Sequence, residues 1–323
     1  MISSIEGKER YEIVRLIAEG GMGAVYEAKK IGVAGFEKRV AIKVMLDKLS
    51  GDREQVERFI DEAKLVANLI HENIVQIYQL DRCAEGYYFV LEYVDGISLF
   101  DLMDFHAKIG RTLPLNLAVF IAGRIARGLA YAHSRRDTAG NLLGIVHCDV
   151  CPHNILINTE GVPKLTDFGV ARMNRVVSER VSGKLAYMAP EQARLEKLDF
   201  RADIYALGMV LFYLLSGQQA RDLTRDPGEL LLDARNNRIG WEKLPALPLD
   251  LDAILRRMLS TAPADRFDDT AELARELEYF IYKDGYGPTI VTLADYIREL
   301  MPGRWCAAEQ TIDDCDKTVV IPK

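Results

Sequence analysis

Residues 144–169 read GIVHCDVCPHNILINTEGVPKLTDFG, and this stretch constrains the chain more than any other. Two short apolar runs, Asn154–Asn158 and Val162–Leu165, flank the turn-forming pair Glu160-Gly161, so the spacing predicts a β-hairpin. Polar groups stand at both ends: His147, Asp149 and Asn154 before the first run, Asp167 after the second. A hairpin returns the chain to its starting point, so Asp149, Asn154 and Asp167 should converge on one small volume. Two carboxylates and an amide on loops suit an oxygen-preferring divalent cation and a proton acceptor. A plainer reading, two turn aspartates and a capping asparagine, is open at this point.

With 323 residues, the chain has room for one large domain or two lobes. A net charge of −7 argues against nucleic acid as the main partner. No basic segment followed by an apolar stretch opens the chain, so no signal peptide is expected. The longest apolar run, Ile204–Leu215, is too short to span a bilayer and reads as a buried helix, so no membrane span is expected. Cys83, Cys148, Cys151, Cys306 and Cys315 without a secretory signal imply reduced thiols and a cytoplasmic location.

Upstream, Tyr11–Ala28 reads as strand, glycine-rich turn, strand. Gly20, Gly21 and Gly23 would let backbone N–H groups approach a phosphate. A dinucleotide or Walker loop needs a helix directly after its glycines, whereas Val25-Tyr26-Glu27-Ala28 continues as a strand; the turn is a hairpin flap. Val40-Ala41-Ile42-Lys43-Val44 is a β-branched strand carrying one lysine. Arg53–Asn68 has helical apolar spacing through Val56, Phe59, Ile60, Ala63 and Ala67. Glu62 lies beside that stripe, where it has reason to meet a cation, and Lys43 is the obvious one. Asn73–Leu80 and Tyr87–Tyr93 read as two further strands, and Asp95-Gly96 breaks the pattern before a helical remainder. Helices are expected at Leu117–His133, near Asp203–Leu215, and around Leu251–Leu259, Thr270–Phe280 and Val291–Met301.

These residues, in this order, resemble the eukaryotic-like (Hanks-type) protein kinases, most closely the bacterial serine/threonine branch. The matches are AEGGMGAV in the flap, VAIK in the strand, Glu62, HCDVCPHN, DFG and APE, spanning roughly residues 8–283. The resemblance implies an α+β, bilobal protein kinase fold, with a small β-rich N-lobe carrying one helix and a larger helical C-lobe. It divides the chain into an N-terminal segment (1–10), an N-lobe (11–95), a C-lobe (96–283) and a tail (284–323) with a short helix and a disordered, acidic end.

The resemblance also implies roles. Lys43 would hold the α- and β-phosphates of ATP and pair with Glu62. Asp167 would bind Mg²⁺, with Mn²⁺ as a substitute, and Asn154 the second metal position. Asp149 would orient the acceptor hydroxyl and take its proton. Ala18, Gly20, Gly21 and Gly23 would form the flap over the phosphates. Val25, Ala41 and Leu156 would sandwich the adenine, the backbone of Glu92 and Val94 would bind its edge, and Leu91 would gate the pocket behind it. Asp203 matches the family's buried helix aspartate, and Arg266 the arginine expected to pair with Glu191. Pro152 favours serine or threonine as acceptor. The implied activity is transfer of the ATP γ-phosphate to protein Ser/Thr, with autophosphorylation.

Four positions depart from the family pattern. Ala18 replaces the first flap glycine, which is tolerable where φ stays negative. Cys148 replaces the arginine that receives an activation-loop phosphate, so Ser178 and Ser182 are expected to be dispensable. Cys151 replaces a lysine beside the γ-phosphate, and Lys184 stands where threonine is usual, so Lys184 is expected to supply the lost cation from the facing loop. Cys148 and Cys151 also spell C-x-x-C, but no second ligand pair accompanies them, and they are expected to point apart. These departures keep open a pseudokinase that binds nucleotide or partners, and a pure interaction module. In the tail, Thr311 precedes Asp314 and Thr318 precedes Ile321 by three residues, an offset resembling what forkhead-associated domains bind in phosphothreonine form. Ordinary tail threonines are the plainer reading.

Overall fold

The computed structural model describes residues 4–6, 9–20, 23–45, 66–83, 86–168 and 185–305. Glu62 and nearly all of the Arg53–Asn68 segment, Gly21, Lys184, Ser178, Ser182, Thr311 and Thr318 lie outside them.

Six strands open the chain: β1 (Ser4–Glu6), β2 (Arg10–Gly20), β3 (Gly23–Ile31), β4 (Glu37–Met45), β5 (Ile77–Cys83) and β6 (Gly86–Glu92). They form one antiparallel sheet in the order β1-β2-β3-β4-β6-β5. The glycine-rich segment is the expected hairpin, with Gly20 opposite Gly23. Ala18 pairs with Val25 and is not among the residues with positive φ, so its methyl is accommodated without strain.

Side chains alternate across a strand, and this sheet is buried on both faces. Val40, Ile42 and Val44 join Tyr11, Ala28, Tyr88 and Val90 in one apolar cluster. Ala41 joins Val75, Phe89 and Leu91 in another. Lys43 therefore projects from the Ala41 face, with Val25 and Phe89 as its cross-strand partners.

The strand expected over Asn73–Leu80 begins only at Ile77. Asn73 and Val75 instead bracket Leu165 with two backbone hydrogen bonds of 2.9 Å each, one accepted by Asn73 O and one donated by Val75 N. That segment crosses to a second, three-stranded sheet, so its extended backbone pairs there rather than with β6. The second sheet holds β7 (Gly96–Ser98), β8 (Ile155–Asn158) and β9 (Pro163–Leu165), paired in that order. Gly96 has a steric reason: a Cβ there would lie 1.9 Å from Ile157 O. The break read at Asp95-Gly96 is thus a close backbone crossing.

Helices follow: α1 (Leu99–Ile109), α2 (Leu115–His133), α3 (Pro190–Ala193), α4 (Arg201–Ser216), α5 (Pro227–Arg235), α6 (Leu249–Met258), α7 (Thr270–Tyr282), α8 (Ile290–Leu300) and α9 (Pro302–Trp305). Ser98 caps α1 by accepting from Asp101 N, and Gly110 ends it in the left-handed region. Every residue of α4 from Ala202 to Leu215 is buried, which is why it reads as apolar all round rather than striped. Among the described residues α2 alone is long and apolar enough to cross a bilayer; it packs against α4 and α7, and twelve of its residues, among them Phe120, Ile121, Ile125 and Leu129, are buried.

The tail helix α8 docks on this body through Leu293, Ala294 and Ile297. It lies against the β8–β9 turn so closely that a Cβ on Gly161 would meet Ile290 O at 2.0 Å. The Tyr296 hydroxyl also donates to His106 Nε2 at 2.7 Å, while His106 Nδ1 donates to Leu102 O at 2.8 Å.

Candidate active site

The hairpin forms as its sequence predicts, with Ile155 opposite Leu165 and Ile157 opposite Pro163. Thr166 N donates to Asn154 O at 2.9 Å, so the two polar ends meet at the strand mouth. Asn154 Nδ2 donates to Asp149 O at 2.8 Å and to Asp149 Oδ2 at 3.1 Å. Its Oδ1 accepts no hydrogen bond among the described residues.

His147 lies beneath, fully buried. Its Nδ1 accepts from Asp149 N at 3.2 Å and its Nε2 donates to Thr166 O at 3.0 Å. A carbonyl can only accept, which places the ring proton on Nε2. The ring meets Phe168 edge-on at 4.7 Å. Histidine thus ties both ends of the hairpin together.

Asp203, on α4, is buried and accepts from three groups: His147 N at 2.7 Å, Cys148 N at 2.8 Å and His133 Nε2 at 2.8 Å. Cys148 has φ 62° and Asp167 φ 60°, left-handed conformations that cost a non-glycine residue energy. The Asp203 carboxylate offsets part of that cost at Cys148 with a charge-assisted bond.

Lys43 Nζ stands 2.6 Å from Asp167 Oδ1. The lysine is 7 % exposed, whereas the Asp167 side chain is 38 % exposed, so a buried ammonium meets a carboxylate that opens to water. The residues expected around an adenine also come together: Val25, Ala41, Leu91, Val94 and Leu156 belong to one apolar cluster. The Glu92 N–H is committed to Gln76 O at 2.8 Å, leaving only its carbonyl for a ligand edge. Its carboxylate pairs with Lys164 Nζ at 2.8 Å.

Cys148 and Cys151 form no disulfide. Cys151 is 4 % exposed and belongs to the main apolar core, as does the buried Tyr187, while Cys148 is half-buried. Among the described residues no group of three or more His, Cys, Asp or Glu side chains is arranged for a metal. The expected Glu191–Arg266 pair forms, bidentate at 2.6 and 2.8 Å, with both side chains buried.

Sequence reading missed several groups that shape this site. Glu27, 6 % exposed, accepts from Arg15 at 2.7 Å, Arg39 at 2.8 Å and the Tyr93 hydroxyl at 3.1 Å. Burial works against its charge, but these donors outweigh that and hold its carboxyl below the usual glutamate range. Arg39 reaches on to Asp95 at 2.9 Å, tying the sheet to the segment that leads into β7. Gln192 Nε2 donates to Cys148 O at 2.9 Å. Arg221, from the loop after α4, is 2 % exposed. No local pattern marks any of these; the sole signal is a charged residue at a strand position facing the sheet, as at Glu27.

Comparison with known proteins agrees with this geometry. The protein kinase domain family model matches residues 11–280. The tyrosine-protein kinase MasK of Myxococcus xanthus is 37 % identical over 295 residues, covering 89 % of this chain and 45 % of its own length. The serine/threonine-protein kinase PrkC of Bacillus subtilis is 33 % identical over 279 residues, covering 83 % of this chain and 40 % of its own. The chain thus spans less than half the length of these curated relatives. The crystal structure of the Mycobacterium tuberculosis PknI kinase domain superposes with a TM-score of 0.60 at 29 % identity, covering 83 % of this chain and 95 % of that one.

Proposed function

The chain belongs to the protein kinase domain family, and on that premise we propose that it transfers the γ-phosphate of ATP to serine or threonine hydroxyls of protein substrates. The observation that carries this is the Lys43–Asp167 pair, which sets a cation from the sheet beside the carboxylate that follows β9. A phosphoryl group in flight spreads charge over its oxygens, so catalysis is mainly positioning and neutralisation. Lys43 holds the α- and β-phosphates, with the Val25, Ala41, Leu91, Val94 and Leu156 cluster around the adenine. Ala18, Gly20, Gly21 and Gly23 cover the phosphates, and Glu62 is the second partner of Lys43. Asp149, fixed by Asn154, orients the acceptor hydroxyl. The acceptor oxygen bonds to the γ-phosphorus, the bond to the β-phosphate oxygen breaks, and the hydroxyl proton passes to Asp149.

The donor set fits Mg²⁺ rather than a soft metal. Asn154 Oδ1 and the Asp167 carboxylate are oxygens, and Mg²⁺ is ordinarily held by one or two carboxylates together with substrate phosphates. The ion, or Mn²⁺ in its place, supplies charge neutralisation for the phosphates.

MasK is named a tyrosine kinase and PrkC a serine/threonine kinase, so the acceptor class is part of the proposal. We take serine/threonine on Pro152. A nucleotide-binding scaffold is the second reading, favoured by Cys151 lying in the core where a catalytic cation is usual in the family. The tail threonines Thr311 and Thr318, once phosphorylated, would suit a phosphothreonine-binding, forkhead-associated partner.

Incubation with labelled ATP and Mg²⁺, followed by phosphoamino-acid analysis and site mapping, tests all of this. Label on serine or threonine that vanishes in Asp149→Asn is the expected result. A nucleotide-induced thermal shift with no transfer would establish the scaffold reading instead, label on tyrosine alone would overturn the acceptor class, and unlabelled Thr311 and Thr318 would remove the tail partner.

A further inference from the structure

Arg221 is a buried cation with no carboxylate within ion-pair distance among the described residues. Its charge is met by four oxygens instead. Nη1 donates to Leu185 O at 2.7 Å, Ala186 O at 3.2 Å and Met188 O at 2.9 Å, and Nη2 donates to the Tyr205 hydroxyl at 2.8 Å. The Tyr205 hydroxyl in turn donates to Asn237 Oδ1 at 2.6 Å. Nε makes no hydrogen bond. A guanidinium in such a place is expensive to bury, and here Nη1 serves one loop, residues 185–188, while Nη2 anchors to α4 through Tyr205.

Among the described residues that loop has few backbone bonds of its own; Met188 N to Leu185 O is long at 3.4 Å. The segment carrying Arg221 grips it a second time, through Gln219 Nε2 to the Tyr187 hydroxyl at 2.7 Å, and Lys243 secures Gln219 O at 2.9 Å. On its other side the loop meets the catalytic loop. Tyr187 is buried in the same apolar core as Cys151, two residues beyond Asp149, and Gln192, four residues past the loop, donates to Cys148 O at 2.9 Å. The bonds from Arg221, Gln219 and Gln192 go to residues 185–188, Tyr205 and Cys148, and none of these bonds is to Lys43 or the adenine cluster.

We propose that Arg221 is a positioning residue for the acceptor side of the active site, holding loop 185–188 against the loop that carries Asp149. This rests on the kinase reading above. Displacing the loop should change how a protein acceptor meets Asp149 and leave nucleotide binding alone, a division that lower stability by itself would not produce.

The test uses the full chain, Arg221→Met and Arg221→Lys, with dephosphorylated casein as the acceptor probe, at temperatures well below each melting point. Expected for Arg221→Met is an acceptor KM at least tenfold higher, with nucleotide affinity from calorimetry within threefold of the parent. Arg221→Lys, which keeps a cation with three donors, should fall between. Parental KM values with only a lower kcat, the mark of fewer folded molecules, would overturn the proposal, as would nucleotide affinity falling in step. Should Arg221→Met not accumulate as folded protein, Arg221→Lys decides alone, with a threefold rise in acceptor KM as the threshold. If the parent transfers no phosphate, the kinase reading has failed, and amide exchange becomes the readout. Residues 185–193 should then exchange at least tenfold faster in the variant while 155–165 are unchanged; equal rates in 185–193 overturn the inference.

Discussion

Asp203 accepts a hydrogen bond from the backbone N–H of Cys148 at 2.8 Å, so a helix carboxylate holds a left-handed residue of the loop that carries Asp149 in place. The same carboxylate serves His147 N and His133 Nε2. Removing it strands three donors, one buried and two partly buried, and a donor left unsatisfied away from water costs about 1–3 kcal/mol. Asp203→Ala should therefore lose at least about 3 kcal/mol in urea denaturation. A loss below ~1 kcal/mol would show that water or a neighbour takes over the carboxylate's bonds.

The Glu191–Arg266 pair is wholly buried, so its two members should behave very differently singly and together. Arg266→Met leaves an uncompensated buried carboxylate, and a cost of about 3–5 kcal/mol is expected. Glu191→Leu in that background should recover much of it, because the charge to be buried has gone. A double-mutant cycle by chemical denaturation measures the coupling. Strictly additive losses would mean that neither group depends on the other.

Lys184 lies outside the described residues, but the compensation expected of it can be tested. Lys184→Met should lower kcat by ~10²–10³, the usual effect of losing one preorganised charge stabiliser, with ATP affinity little changed. Turnover within about threefold of the parent would end the idea. Cys151 sits in the apolar core, so Cys151→Lys should not restore activity in the Lys184→Met background; it should instead lower the melting temperature by burying an ammonium. Rescue at unchanged stability would place residue 151 on an open face.

His106 couples the tail helix to α1 and should make stability depend on pH. Burial, aided by Arg111, holds its pKa below the ordinary 6.5 despite its bond to Leu102 O. Between 6.5 and the lower folded value, the unfolded chain binds a proton that the folded one refuses. Stability is therefore fully present above 6.5 and falls as the pH drops through that window. Protonation also removes the Nε2 lone pair that receives the Tyr296 hydroxyl, so α8 should loosen first. His106→Asn should flatten the loss between pH ~7.5 and ~5.5, measured by denaturation, by about 1.4 kcal/mol per unit of pKa separation. Equal slopes in the two proteins would count against it.

Much of the architecture was legible before any coordinates. The alternation in Val40–Val44 set Lys43 on the same face as Ala41, and the Glu160-Gly161 turn brought Asp149, Asn154 and Asp167 to one mouth. Local periodicity and turn chemistry report which face of an element is buried and where the chain reverses, and the family motifs supplied the order of parts. They do not report what that face is buried against. The extended residues at Asn73 paired with β9 instead of β6, Gly96 proved to be a backbone crossing, and Gly161 a seat for α8, since each depends on a segment far along the chain. Buried polar groups show the limit most clearly. Arg221 and Glu27 look like surface charges in the sequence, and only the packed structure supplies the carbonyls, guanidinium groups and hydroxyls that let them be buried. A charge can leave water only where partners from several elements meet, and that meeting is a property of tertiary structure alone.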